Sequence, residues 1–186
     1  MSVQIDRRIF SVDEYHRMSE AGILSEDDRV ELIEGEIIKI SPIGSRHAAC
    51  VNRLNFLLNR KAGQAAIVSI QNPIRLHDYS EPEPDIALLQ SRDDFYSEAH
   101  PGPKDVLLII EVSDTSIEYD RTVKLPLYAR AGIPEVWLAN LLKDSVEAFS
   151  QPLNGVYREF REAVRGEVLT PARIPDVIVT VDEILG

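Results

Sequence analysis

Hydrophobic and polar positions recur along the chain at two periods, and the period predicts which element each stretch forms. Residues 45–62 repeat at about 100° per residue, so His47, Val51, Leu54, Leu58 and Ala62 share one helix face. Ser11-Val12-Asp13-Glu14 has the form of a capping box, in which hydroxyl and carboxylate satisfy reciprocal backbone donors. It predicts a short helix ending near Gly22. Residues 30–40 read as two short strands turning at Glu34-Gly35. Residues 65–70 and 73–76 read as strands joined by a turn at Gln71-Asn72. Glu81-Pro82-Glu83-Pro84 is stiff and extended, and leads into a strand over 85–89. The apolar run 106–112 predicts a buried central strand. A helix over 119–131 follows, stopped by Gly132 and Pro134. Further strands fall at 135–139, 145–149 and 156–163, and residues 181–185 form a final helical turn. This order predicts an α/β (α+β) fold, a mixed sheet with helices packed on it.

Composition narrows the class. A chain of 186 residues fits one domain spanning 1–186, and 44% hydrophobic content lets it bury a real core. Against 20 Lys+Arg stand 31 Asp+Glu, a formal charge of -11, so nucleic acid or an anionic membrane would need a local basic patch. The single cysteine, Cys50, excludes an intrachain disulfide and a Cys-cluster zinc site. Val106 to Ile110 is the longest pure Val/Leu/Ile run, too short to span a bilayer. The stretch Met1 to Arg8 lacks the apolar segment of a signal peptide, so a cytoplasmic location is expected.

Four residues carry candidate chemistry. Glu111 ends a buried strand, where an ionised carboxylate is costly unless paired or metal-bound; the plainer alternative is a strand end emerging into solvent. Asp85 opens another apolar strand, and would otherwise be a turn acid leaving a Pro-rich loop. Two such acids on neighbouring strands can converge on Mg²⁺, which takes one or two carboxylates plus waters and phosphate oxygens. Glu31 lies on the same strand face as Ile33, inward or exposed. Asp120, Lys124 and Tyr128 form one helical stripe, and spacing alone makes Lys124 an ordinary i,i+4 partner of Asp120. His47 reads as a satisfied inward histidine, and Trp137 and Tyr128 as packing residues.

Pro84-Asp85 followed by Glu111-Val112-Ser113 resembles the PD-(D/E)XK nuclease superfamily. More narrowly, the chain is similar to the Uma-type family of restriction-endonuclease-like proteins. The similarity rests on Glu31-Leu32-Ile33-Glu34-Gly35-Glu36, His47, Pro84-Asp85-Ile86-Ala87, Glu111-Val112-Ser113, Asp120-Arg121-Thr122-Val123-Lys124 and the stretch from Tyr128 to Trp137, so it covers roughly residues 10–150. It implies a restriction-endonuclease-like mixed sheet and a DNA endonuclease using Mg²⁺, with Mn²⁺ as a substitute. Asp85 and Glu111 would hold the metal and Glu31 would assist. Ser113 stands where the superfamily carries its lysine, and the resemblance assigns that role to Lys124. It also suggests a homodimer. A non-catalytic binding or assembly module on the same fold is the alternative.

Independently of family, no Asp or Glu occurs between Ile37 and His77. Arg46, Arg53 and Arg60 are seven apart and drift only about 20° per step, forming one helix ridge that could meet phosphates. A solvated face or a partner-chain contact is the competing explanation.

Overall fold

In the computed structural model, which describes residues 7–25, 27–40 and 42–186, the capping box forms as its spacing requires. The Glu14 N–H donates to Ser11 Oγ at 3.2 Å and the Ser11 N–H to Glu14 Oε2 at 3.0 Å, opening α1 (Val12–Glu20). Met1 to Asp6, six of the eight residues read for signal character, lie outside the described residues. Strands β1 (Val30–Ile33) and β2 (Glu36–Lys39) make the expected hairpin. Its turn puts Glu34 and Gly35 at φ 49° and 79°, and a Cβ on Gly35 would lie 2.6 Å from Ile9 Cβ. Glycine is needed there both for its backbone and for its lack of bulk.

Helix α2 (Ser45–Ala62) buries Cys50, Val51, Leu54, Leu58 and Ala62 on one side. After it come β3 (Ala66–Ile70), β4 (Ile86–Gln90) and β5 (Val106–Ser113), whose eight residues are all buried. A continuous helical crossover leads on, made of α3 (Ile117–Tyr119), a π-helical turn (Asp120–Lys124) and α4 (Leu125–Ala131). Strands β6 (Glu135–Asn140), β7 (Ser145–Leu153) and β8 (Val156–Val164) complete a six-stranded sheet ordered β3-β4-β5-β6-β7-β8. Only β5 and β6 run parallel, as the helical crossover between them demands. The tail forms β9 (Val168–Leu169), β10 (Val179–Thr180) and α5 (Val181–Leu185).

The sheet has a core on each face. One gathers Leu54 and Leu58 of α2 and Ile184 of α5 against Leu108, Ile110 and Trp137. The other gathers Leu127 and Tyr128 of α4 and Ile33 of the hairpin against Ile109, Val136 and Leu138. Two covered faces explain why the central strands read as unbroken apolar runs.

Residues 73–76 do not form the expected strand. Ile74 and Leu76 donate to Pro82 O and Ser80 O, both at 3.0 Å, but Pro73, Pro82 and Pro84 have no N–H to continue a ladder. The last two long strands run further than expected, closing on Asn154-Gly155 at φ 52° and 78°. Among the described residues no helix is long and apolar enough to cross a membrane.

Candidate active site

Antiparallel register brings the two acids together. Ile86 pairs with Ile110, so Asp85, one residue before β4, falls opposite Glu111. The pair is laced crosswise: the Asp85 N–H donates to Glu111 Oε2 at 3.2 Å, and the Val112 N–H to Asp85 Oδ2 at 2.9 Å. Gln71 Nε2 donates to Asp85 Oδ1 at 3.2 Å, and His47 Nε2 lies 2.9 Å from Asp85 Oδ2. The other ring nitrogen of His47 is buried without a hydrogen-bond partner among the described residues.

The hairpin supplies the third acid. Glu31 on β1 is 2% exposed and accepts from the Glu83 N–H at 3.2 Å and from the Tyr119 hydroxyl at 3.4 Å. Lys124 Nζ sits 3.4 Å from Glu31 Oε2 and 3.2 Å from Glu111 Oε1, and the Tyr128 hydroxyl donates to Glu111 Oε1 at 2.6 Å. One buried ammonium thus joins the hairpin acid to the strand acid. The i,i+4 partnership with Asp120 does not form, because the Asp120 carboxylate accepts from Ser113 Oγ and Ser116 Oγ, both at 2.7 Å. Leu125 N–H reaches back to Asp120 O, five residues away. Pro126 has no N–H for the Thr122 carbonyl, so an uninterrupted α-helical ladder is unavailable at this turn.

Burial dominates the electrostatics. It pushes the Glu111 carboxyl up to about 8, opposed by Lys124 and reinforced by Asp85 and Asp120. Burial also works against the Lys124 charge, but Glu111, Glu31, Asp120 and Asp85 outweigh it and raise the group above the ordinary lysine value. Lys124 is therefore a fixed ammonium, suited to holding an anion and unsuited to taking a proton. Asp85 stays below the usual carboxylate value in spite of burial, held there by His47 and the Val112 N–H. Its hydrogen bond raises His47 above the ordinary imidazole value.

These groups face a cleft of about 610 Å³ between the hairpin, the start of α2 and the ends of β4 and β5. Arg29, Lys39, Gln71, Glu83 and Tyr119 complete its wall. Sequence patterning missed Gln71, Glu83 and Tyr119, because each reaches the site through a tertiary contact and none sits on a periodic stripe. Tyr128, expected as packing, is buried and also holds Glu111.

The three arginines of α2 have separate surroundings. Arg53 Nη1 donates to the Ile184 and Leu185 carbonyls at 3.2 and 2.8 Å, closing the end of α5. Arg60 lies 5.2 Å over the Phe56 ring. Arg46 donates to Leu141 O at 2.8 Å and lies 3.9 Å from Asp114, a residue of the cleft wall. The ridge is thus broken in its middle, where unsatisfied helix-end carbonyls draw Arg53 away from solvent.

Comparison with known proteins agrees with this architecture. Residues 12–183 match a family model named Uma2 and described as "Putative restriction endonuclease". The fold is similar to that of a crystal structure titled as a "putative nuclease belonging to DUF820" from Anabaena variabilis ATCC 29413. The TM-score is 0.73 at 14% sequence identity, covering 95% of this chain and 97% of that one. No curated protein matches the chain.

Proposed function

The chain belongs to the Uma2 family of restriction-endonuclease-like proteins, and from that membership we propose that its cleft hydrolyses DNA phosphodiester bonds with the help of Mg²⁺. The observation that carries the reading is the crosswise lacing of Asp85 and Glu111, which fixes two carboxylates side by side in the wall of a cleft. An all-oxygen pair of this kind fits a hard cation, which fills its remaining positions with water and phosphate oxygens. Mn²⁺ would serve in its place.

A cation held by Asp85 and Glu111 would polarise the scissile phosphate and acidify an attacking water. The chain's own groups do the rest. Lys124, kept charged by its acids, stabilises negative charge developing on the phosphate or orients the water. Glu31 fixes that ammonium from the far side, and Tyr128 fixes the Glu111 carboxylate. Both are buried, so the arrangement needs little reorganisation when substrate arrives. Arg29 and Lys39 on the hairpin, with Arg46 at the start of α2, supply positive charge around an acid-lined cleft. A homodimer would provide the two centres needed to cut both strands. One observation favours a non-catalytic binding module instead: Lys124 is already shared by two buried carboxylates, and Ser113 is engaged by Asp120.

Adding Mg²⁺ is expected to raise the melting temperature, by about 2.7 kcal/mol of stabilisation at 100 times the dissociation constant. At about 2–4 °C per kcal/mol for a chain of this size the shift is easily measured. Asp85→Asn is expected to remove most of it; an unchanged shift would place the ion elsewhere. Plasmid cleavage in Mg²⁺ by the wild-type chain, beside identically prepared Glu111→Ala protein, separates enzyme from binding module.

The arginines are expected to divide. Arg46→Ala should weaken DNA binding across sequences and flatten its salt dependence by about one phosphate contact. Arg53→Ala should instead cost stability, about 1 kcal/mol for its lost carbonyl bonds, with the salt slope unchanged. Equal salt slopes for wild type and Arg46→Ala would remove Arg46 from the interface.

A further inference from the structure

A second cluster of metal-binding side chains lies away from the carboxylate cleft. His16 on α1, Glu81 in the extended stretch before β4 and His100 in the loop before β5 each bring one donor atom within 4.8 Å of the other two. They line a separate pocket of about 410 Å³ with Arg75, Tyr96 and Glu98. Glu81 is the unusual member. Its side chain is 1% exposed, yet one carboxylate oxygen meets only His16 Nε2, at 2.5 Å, and the other has no hydrogen-bond partner among the described residues. A buried, incompletely satisfied carboxylate is costly, because the lost hydration of its free oxygen is not replaced. The guanidinium in the pocket wall does not relieve it, since Arg75 turns to Asp13 at 3.1 Å and Asp78 at 3.3 Å.

We propose that His16, Glu81 and His100 form a binding site for a divalent transition metal ion of the Zn²⁺ kind, distinct from the hard-cation centre at Asp85 and Glu111. Two imidazoles and a carboxylate are a borderline nitrogen and oxygen set, which suits Zn²⁺ and disfavours Mg²⁺. Metal–ligand bonds of about 2.0–2.2 Å around a tetrahedral ion separate donor atoms by roughly 3.3 Å. The His16–Glu81 contact therefore opens by less than an ångström while His100 closes in. The unpartnered Glu81 oxygen leaves the carboxylate free to turn toward the ion.

The backbones that carry these ligands are already joined. The Val12 N–H donates to Asp78 O at 2.8 Å, tying α1 to the turn before Glu81, and the Arg75 N–H donates to Pro101 O at 3.0 Å, beside His100. The ion thus closes a site whose frame is in place, and water or Glu98 takes the fourth position. Its effect reaches the cleft by a short path. The Glu81 N–H is bonded to Leu32 O at 2.8 Å, and the Glu83 N–H holds Glu31. An occupied site stiffens the hairpin that supplies the third acid.

The test is calorimetric titration of the untagged full chain with Zn²⁺ in excess Mg²⁺, together with the visible absorption of Co²⁺ as a report of tetrahedral nitrogen ligation. The wild type and Asp85→Asn are expected to take up one equivalent of Zn²⁺ with equal affinity. His16→Ala and His100→Ala are expected to lose more than the ~10–100-fold that removing an outer-shell partner costs. Both histidines lie at the surface, so these variants fold, and matching melting curves without metal verify it. Undiminished Zn²⁺ affinity in the two histidine variants overturns the site, as does a loss confined to Asp85→Asn. Neither readout depends on cleavage, so the site stands or falls apart from the nuclease proposal.

Discussion

Glu111→Gln is expected to abolish Mg²⁺-supported phosphodiester cleavage while leaving the protein at least as stable at neutral pH. The activity loss should equal or exceed the ~10²–10³-fold that follows removal of one preorganised electrostatic group. Here the change also removes half of the proposed ligand pair. Stability moves the other way because the carboxylate sits where charge is costly. Burial places the Glu111 carboxyl at about 8 in the folded chain, above its ordinary value of 4.5. A group raised on folding favours the native state while protonated, and that contribution is lost as pH rises from 4.5 toward 8. The glutamine amide cannot ionise, and its oxygen can still accept from Tyr128. Melting curves at pH 5 and pH 8 should therefore bring the variant level with or above the wild type at the higher pH. A variant that is inactive because it has unfolded would contradict this account.

Lys124→Ala is expected to lower the cleavage rate by about 10²–10⁴-fold while leaving Mg²⁺ binding largely intact. Asp85 and Glu111, which would hold the ion, remain, and only the ammonium between Glu31 and Glu111 is gone. Some destabilisation accompanies it. Breaking a buried ion pair costs up to about 3–5 kcal/mol, less where a carboxyl such as Glu111 can take up a proton instead. Rates are accordingly compared below the melting transition of the variant. Ser113→Lys in that background is expected to recover part of the rate. Residues two apart on a strand project to one side, so Ser113 shares the face of Glu111, and its hydroxyl already points at Asp120. A lysine there meets an acid but starts from a different backbone position, so recovery is partial. Full activity in Lys124→Ala would reduce the residue to charge neutralisation.

Much of the framework was legible because local chemistry decides it. The Ser11–Glu14 box, the Glu34-Gly35 turn, the 18-residue periodicity of α2 and the apolar run of β5 each depend on neighbours within a few positions. The strand expected at 73–76 failed because patterning counts apolar side chains, while ladders count backbone donors that prolines lack. At the candidate site, Asp85, Glu111 and Glu31 were visible as charged residues in or beside apolar elements, and Lys124 only through the family resemblance. Their mutual arrangement was not. The arginine ridge shows the converse: a regular spacing along α2 says nothing about α5, whose carbonyls hold Arg53.

By itself, then, the sequence determined most of the elements, the mixed sheet with its helices, the family resemblance and the short set of candidate acids. The elements and the acids follow from periodicity and from what burial costs a charge; the resemblance rests on the motifs around Pro84-Asp85 and Glu111-Val112-Ser113. Tertiary structure alone decided that Asp85 faces Glu111 through strand register, that Lys124 serves Glu31 and Glu111 instead of Asp120, and that His16, Glu81 and His100 meet. The physical reason is the same in each case. A buried charge takes whichever partners the packed chain brings close to it, and that proximity is set by register and packing between segments far apart in sequence.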